Sequence, residues 1–189
     1  TLRARIATMP PLEQPAPWLR DAQSTAIVNL EQSLKDNRSR ALIQMATGSG
    51  KTFAAANIAE RLIALGGAKR ILFLVDRANL GRQTLKEFQG FEVPGSGRKF
   101  TELYNVQHLT SNKLDPVASV STGTIQRVYS MLRDEAAMPA ELDEATTFEL
   151  TPNSTAEVDY NPGLAIEDFD VVIIDECHRS IYGVWRQVL

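Results

Sequence analysis

A glycine-rich octapeptide, MATGSGKT at residues 45–52, combines residue types that can hold phosphate groups. Gly48 and Gly50 allow a tight loop, so that backbone N–H groups can point inward at phosphate oxygens. The Lys51 ammonium can reach the β- and γ-phosphates of a nucleotide, and the Thr52 hydroxyl can bind Mg²⁺. The stretch predicts a site for ATP and Mg²⁺ built from six consecutive residues, namely Thr47, Gly48, Ser49, Gly50, Lys51 and Thr52.

A second group of chemically active residues follows an apolar run, in VVIIDECHRS at residues 171–180. If the run is a strand of a parallel sheet, its carboxyl end meets those of the other strands, which places Asp175 beside Thr52. Asp175 would then hold Mg²⁺ directly or through water, and Glu176 would polarise the water that attacks the γ-phosphate. The alternative is a strand that merely ends in a charged turn. The phosphate loop in the same chain favours catalysis by Lys51, Asp175 and Glu176.

Alternating helices and strands are predicted to position these two groups. The apolar periodicity predicts helices at 21–34, 51–65, 77–88 and 125–132, and strands at 41–46, 70–75, 101–109 (an edge strand), 117–122 and 171–175. Residues 91–100 are predicted to be a turn-rich loop. Strands that are apolar on both faces and alternate with helices indicate a parallel sheet covered on both sides. The expected fold is a three-layer α/β P-loop domain with a mostly parallel sheet.

The composition is typical of a soluble globular protein and excludes several other classes. The 189 residues fit one domain, or one and a fraction. No run of about 18 apolar residues is present, so no membrane helix is expected. Cys177 is the only cysteine, which suits a reducing cytoplasm. Residues 1–17 carry four of the nine prolines and are predicted to be a linker. The chain opens at Thr1 without a Met, so it is expected to come from a longer protein.

The charge is segregated along the chain. From Asp134 to His178 there are 13 acidic residues and no Lys or Arg, although the net charge of the whole chain is only −3. We therefore predict a solvated acidic insertion at about 134–166. The rest of the chain is basic, which fits either an ordinary surface or one that faces a polyanion, and charge alone does not decide between them.

Five segments together resemble a known family. DECH at 175–178 is similar to the second motif of superfamily 2 helicases and translocases. The segments resemble, in order and spacing, the motor region of the restriction (R) subunit of type I restriction enzymes over residues 18–189. They are RALIQMATGSGKTF, AKRILFLVDRANLGRQTLKEF, KFTELYNVQHLTSN, TIQRVYSML and IIDECHRSIYGVWRQVL. The resemblance implies the first RecA-like lobe of an ATP-dependent translocase on double-stranded DNA, working with modification and specificity subunits and a second RecA-like lobe downstream.

The resemblance also implies roles for individual residues. Gln23, helped by Arg20, would read the adenine, because an amide can both donate and accept at the ring edge. The residues implied near the phosphodiester backbone are Arg77, Gln83, Thr124, Gln126 and Arg127. His178 would couple the ATP site to the nucleic acid, or serve only as a local hydrogen-bonding residue. His108, Trp18 and Trp185 are expected to be structural, and Cys177 a small buried filler.

The chain departs from the family pattern in places, and other functions stay open. Met45 stands where the usual phosphate loop has glycine, and Gly123 leaves the register of the neighbouring threonines uncertain. Neither a nuclease domain nor the second lobe lies within these 189 residues, so this segment alone is expected to hydrolyse ATP poorly. The alternatives are another superfamily 2 DNA or RNA helicase, or a nucleotide-gated interaction module. A small-molecule kinase is disfavoured, because Asp175 and Glu176 suit activation of water.

Overall fold

The computed structural model describes residues 1–135, 138, 143–144 and 161–177. The chain divides into two compact units, which are described separately below. The first comprises Thr1–Lys69 and Glu87–Leu103, and the second comprises Arg70–Lys86 and Tyr104–Leu189. His178, Trp185 and most of the predicted acidic insertion lie outside the described residues.

Three helices build most of the first unit: α1 at Leu2–Ala7, α2 at Asp21–Lys35 and α3 at Lys51–Ala64. The predictions of α2 and α3 are confirmed to within one residue. A buried ion pair joins these two helices, because Arg61 Nε lies 2.5 Å from Glu31 Oε1. Arg61 Nη2 donates to the other carboxylate oxygen at 3.0 Å, which makes the pair bidentate.

Residues 1–17 are not the linker that the sequence predicted. They contain α1, and Ile6, Met9, Leu12 and Ala16 are all buried. The segment folds because these apolar residues pack in the first unit, whereas a linker would leave them in water. Arg61 Nη2 also donates to the carbonyl oxygen of Pro10 at 2.9 Å, which fixes the proline-rich part of the segment.

The strand predicted at 41–46 is absent from the structure. These residues form no helix or strand, and Leu42 is 79% exposed. A strand needs a hydrogen-bonded neighbour, and the first unit has only the two-residue strands β2 at Glu92–Val93 and β3 at Arg98–Lys99, which pair with each other. This small hairpin occupies the predicted loop at 91–100. It leads into the short helix α5 at Phe100–Leu103.

A four-stranded parallel sheet is the framework of the second unit. Its strands are β1 at Ile71–Val75, β4 at Val106–His108, β5 at Val120–Thr124 and β6 at Val171–Ile174. They lie in the order β4-β5-β1-β6, and each neighbouring pair is parallel. Every residue of the central strands β1 and β5 is buried, as expected for a sheet covered on both faces. The predicted α/β fold with a parallel sheet is therefore confirmed.

Two helices follow the central strands, as the sequence predicted. Helix α4 spans Ala78–Gly90 after β1, and helix α6 spans Ile125–Leu132 directly after β5. The predicted edge strand is confirmed as β4, although it covers only three residues. Strand β5 begins three residues later than predicted, because Ala118 closes a turn by donating to the carbonyl oxygen of Asp115. None of the described helices is long and apolar enough to cross a membrane.

Candidate functional site

The phosphate loop of the first unit is a turn that leads directly into α3. The Ser49 N–H and hydroxyl both donate to the carbonyl oxygen of Ala46, at 3.2 and 2.6 Å. Gly48 and Gly50 have positive φ angles of 77° and 81°, which L-residues rarely adopt. Helix α3 then begins at Lys51, so the first helical N–H groups stand next to the loop. This is the backbone arrangement that binds phosphate at a helix N-terminus.

Gln23 and Arg20 lie against this loop. Gln23 is 3% exposed, and its side-chain Nε2 donates to the carbonyl oxygens of Ser49 and Gly50, both at 3.1 Å. Its Oε1 accepts from the backbone N–H of Arg20 at 2.9 Å. Arg20 Nη1 donates to the carbonyl oxygen of Gly48 at 3.1 Å.

The two residues that the resemblance assigns to adenine therefore hold the phosphate loop in place. This role was not predicted. The sequence signals only part of it, because Gln three residues after the residue that precedes a helix is a capping pattern. That pattern predicts the bond to the Arg20 backbone but not the contacts with Ser49 and Gly50. Their contact with adenine stays a prediction.

The acidic end of strand β6 has an unusual backbone. The Asp175 N–H still donates to the carbonyl oxygen of Leu74 at 2.9 Å, so Asp175 continues the sheet. Glu176 then adopts a positive φ of 51°, and its N–H donates to Asp175 Oδ1 at 3.0 Å. A residue with a β-carbon is rare in this region, and such residues concentrate at functional sites. Thr52 belongs to the first unit, and its proximity to Asp175 stays a prediction.

The carboxyl ends of the strands in the second unit meet at one edge, as predicted. The register pairs Val75 with Thr124 and Leu74 with Ile174, so the residues that follow β1, β5 and β6 share this edge. Gln126 Nε2 donates to the carbonyl oxygen of Asp76 at 3.2 Å, which connects the segments after β5 and β1.

The residues implied in nucleic-acid binding differ in their exposure. Gln83 is exposed on α4, and the Arg77 side chain is 40% exposed, with its Nε 3.8 Å from Asp76 Oδ2. Thr124, Gln126 and Arg127 are instead buried, at 2%, 3% and 5% exposure. Burial of these three was not predicted.

Arg127 is buried because polar groups surround its guanidinium. Its Nη2 lies 2.5 Å from Asp143 Oδ2, and its Nη1 donates to Asn112 Oδ1 at 3.2 Å. Thr124 caps helix α6, because its hydroxyl oxygen accepts from the Arg127 N–H at 3.1 Å, and the hydroxyl in turn donates to Asp143 Oδ1. Asp143 comes from the predicted acidic insertion, for which the sequence suggested no contact.

The residues expected to be structural behave differently from one another. His108 Nδ1 lies 3.1 Å from the Thr122 hydroxyl, a contact between β4 and β5. Trp18 is 41% exposed, so it packs only in part. Cys177 is half-buried and free, rather than the buried filler that was predicted.

The sequence model of the ResIII family, described as the type III restriction enzyme res subunit, matches residues 17–189. The chain belongs to the ResIII family. Several curated relatives of this ResIII chain are endonuclease subunits of type I restriction enzymes. The EcoKI subunit of Escherichia coli strain K12 is 28% identical over 163 residues, which is 86% of this chain and 12% of the relative. The EcoAI subunit of Escherichia coli is 29% identical over 171 residues, or 88% of this chain and 17% of the relative.

A further relative, the SauCOLORF180P subunit of Staphylococcus aureus strain COL, is 27% identical over 165 residues, or 87% of this chain and 15% of the relative. The ResIII chain thus spans less than one fifth of the length of these three relatives. The family match and the relatives confirm the resemblance that the motifs predicted, namely a P-loop helicase-like lobe similar to that of type I restriction subunits. The roles of single residues stay predictions.

Proposed function

We propose that this ResIII chain is the first motor lobe of an ATP-dependent duplex-DNA translocase, within the restriction subunit of a type I restriction-modification system. The observation that carries the proposal is the phosphate loop, with its two positive-φ glycines at the start of α3. The family match and the type I relatives support the choice of a restriction motor over other nucleotide-binding proteins.

The first unit would hold the nucleotide. The donor set fits an ATP triphosphate, because loop N–H groups, a helix N-terminus and the Lys51 ammonium all favour anionic oxygens. Gly48 leaves the loop open on one side, since a β-carbon built there would meet no atom within 4 Å. The hydroxyl of Thr52 and the carboxylate of Asp175 are oxygen ligands of the type that Mg²⁺ prefers. Bound Mg²⁺ would supply the charge that neutralises the β- and γ-phosphates.

Glu176 would act as the base that orients and polarises the attacking water. A carboxylate can accept a proton from water within hydrogen-bonding reach, whereas a Gln side chain in the same place cannot. The positive φ of Glu176, in the turn that immediately follows β6, supports this role, because such backbone conformations concentrate at functional sites. Hydrolysis would reopen the cleft between this lobe and a second RecA-like lobe, which would complete the site and half of the DNA track.

Duplex DNA would be held through its phosphate backbone by the segments that follow β1 and β5. Arg77, Gln83, Thr124, Gln126 and Arg127 are the proposed contacts, and phosphate contacts confer no sequence preference. Any target sequence would therefore be read by the specificity subunit, with which the modification subunit would also associate. The proposed location is the cytoplasm, where DNA and ATP are both available. His178 would couple the two sites, but it lies outside the described residues.

The test is ATP hydrolysis by the full-length protein that carries this chain, measured alone, with long duplex DNA and with single-stranded RNA. We expect strong stimulation by duplex DNA, and loss of that stimulation in Glu176→Gln, because the base is removed without a change in size. Glu167→Gln is the matched control, since it removes one exposed carboxylate that follows no strand of the sheet.

The possible outcomes separate the candidate functions. Stimulation by RNA alone would assign the lobe to an RNA helicase. ATP binding without hydrolysis under every condition, together with no effect of Glu176→Gln, would indicate a nucleotide-gated interaction module and overturn the motor proposal.

A further inference from the structure

Two acidic side chains contact arginines at or next to the proposed DNA contacts. Arg127 is itself a proposed contact, and Arg82 precedes the proposed contact Gln83 on α4. Asp143 bridges Thr124 and Arg127 at the start of α6. Its neighbour Glu144 accepts from Arg82 Nη1 of α4 at 2.9 Å. Both carboxylates come from the segment that the sequence predicted to be a solvated acidic insertion. Here they meet basic groups on two helices that follow neighbouring strands of the sheet.

The contact of Asp143 is desolvated, whereas that of Glu144 is exposed. The side chains of Arg127 and Asp143 are 6% and 12% exposed, and those of Arg82 and Glu144 are 56% and 49% exposed. Arg127 Nε is also buried without a hydrogen-bond partner among the described residues. A guanidinium with five N–H donors is therefore only partly satisfied by the groups around it.

The groups around Asp143 are those that bind a phosphate. Its two oxygens accept from the Thr124 hydroxyl, which caps an eight-residue helix, and from a guanidinium N–H of Arg127 in the first turn of that helix. Arginine recognises carboxylate and phosphate with the same fork geometry, and a helix N-terminus favours any anion. A phosphate has a further oxygen available for the unsatisfied Arg127 Nε. A phosphate that replaced the carboxylate could thus accept hydrogen bonds from the same hydroxyl and guanidinium groups.

Exchange is also energetically feasible. A buried ion pair contributes little net stability, because desolvation of both charges offsets most of their attraction. Removal of one partner without replacement is costly, since a buried charge is then left alone. A phosphate that takes the place of Asp143 leaves Arg127 paired with an anion throughout, and it releases the carboxylate to water.

We propose that Asp143 and Glu144 act as an internal phosphate mimic that competes with the backbone of duplex DNA for Thr124, Arg127 and Arg82. The inference rests on the proposed function and adds a means by which DNA binding is regulated. DNA could bind only after these carboxylates are displaced, so their displacement would limit both the association rate and the affinity for DNA. The apparent affinity for DNA is then the intrinsic affinity reduced by the fraction of molecules in which the site is open.

The experiment measures binding of a duplex of unrelated sequence to the full-length protein by fluorescence anisotropy. In the double variant Asp143→Asn/Glu144→Gln, the side-chain shapes remain but both negative charges are lost. We expect this variant to bind the duplex about tenfold more tightly than the wild type, because the open fraction rises. Unchanged or weaker binding by a folded variant would overturn the inference and leave a purely structural ion pair.

Two further variants control the result. Glu167→Gln removes a negative charge elsewhere on the second unit and should raise DNA affinity by much less than the double variant. Arg82→Gln removes an exposed donor whose loss should not unfold the protein, and it should weaken DNA binding about two- to fivefold. If Glu167→Gln matches the double variant, the effect is general charge and the inference fails.

Failure of the inference differs from failure of the proposed function. If neither the wild type nor any variant binds duplex DNA or shows DNA-stimulated ATP hydrolysis, the proposed function is wrong. If the wild type binds DNA, and Arg82→Gln weakens that binding, but Asp143→Asn/Glu144→Gln changes nothing, only the mimic is excluded. Thermal unfolding of each variant excludes a folding defect as the cause.

Discussion

Two separate constraints require glycine at position 50, namely its backbone conformation and the close approach of a neighbouring side chain. Its φ of 81° lies in the left-handed region, where it precedes the first residue of α3. A β-carbon added to it would collide with Nε2 of Gln23, the same atom that donates to the Gly50 carbonyl oxygen. Glycine is therefore required for the loop conformation and for the approach of Gln23.

The substitution Gly50→Ala is expected to weaken binding of Mg-ATP by at least about tenfold and to lower the stability of the protein. The left-handed conformation costs an L-residue about 1–2 kcal/mol, and the collision displaces Gln23 as well. Isothermal titration with a slowly hydrolysed ATP analogue and thermal unfolding would measure the two effects. Gly90→Ala is the control, because a β-carbon there meets no atom within 4 Å and the residue ends a helix. Equal behaviour of the two variants would contradict the argument.

The candidate site residues could be predicted because the order of residue types along the chain is itself informative. Glycines before Lys51 and carboxylates after an apolar run have meanings that follow from local chemistry, so the candidate residues were evident. The bracing of the loop by Gln23 and the pairing of Arg127 with Asp143 depend on which residues come together in space. Sequence separations of 26 and 16 residues leave no periodic signal for such contacts.

The packing of helix α3 partly buries one ionisable side chain, Glu60. Ala54, Ala55, Ala56, Ile58, Ala59 and Leu62 of this helix are buried. Glu60 lies among them and is itself partly buried. Burial raises the pKa of the Glu60 carboxyl above its ordinary value, and the charge of neighbouring Arg61 offsets this only in part. Above this raised pKa, the folded protein therefore keeps the Glu60 carboxylate in a place that disfavours its charge.

Glu60→Gln is therefore expected to raise the melting temperature at pH 7. The folded protein binds the Glu60 proton more tightly than the unfolded chain does, so the penalty appears as pH rises from the unfolded pKa and is complete above the folded pKa. Consequently, the gain from Glu60→Gln should shrink as pH falls and vanish once both states are protonated. Thermal unfolding of the wild type and the variant between about pH 4 and pH 7 would test this window. A gain that is constant with pH would exclude the carboxylate as its cause.

Predictions of elements succeeded where a segment carries its own signal. Helices α2, α3 and α6 have apolar residues at helical spacing, and β1 is an uninterrupted apolar run. The run at 41–46 has the same composition as a strand, yet the structure leaves it unpaired and Leu42 exposed. Apolar composition indicates that a segment can form a strand, whereas a strand forms only if a partner strand is available to pair with it. The proline-rich start was missed for the opposite reason, because its prolines indicated a linker although Ile6, Met9, Leu12 and Ala16 are buried.

At the scale of the whole molecule, the separation of charge links the fold to the proposed function. The 20 basic residues all lie outside the acidic stretch from Asp134 to His178, and the described carboxylates Asp143 and Glu144 of that stretch pair with arginines of the second unit. A chain of small net charge can therefore still present a basic surface to a polyanion. The division into two compact units was not evident from sequence, because the residues of each unit are discontinuous along the chain.

Arg77 provides the test of that surface, since its side chain is partly exposed directly after β1. Arg77→Gln in the full-length protein should weaken binding of all duplexes equally, because a phosphate contact carries no information about sequence. The variant should also lower the slope of log affinity against log salt concentration by about one. Anisotropy with two unrelated duplexes, between about 50 and 200 mM salt, would measure both effects. Arg38→Gln, which removes an exposed arginine of the first unit, should leave the slope nearly unchanged. A loss of affinity for only one of the two duplexes would instead indicate that Arg77 contacts bases. The proposed phosphate contact after β1 would then be wrong.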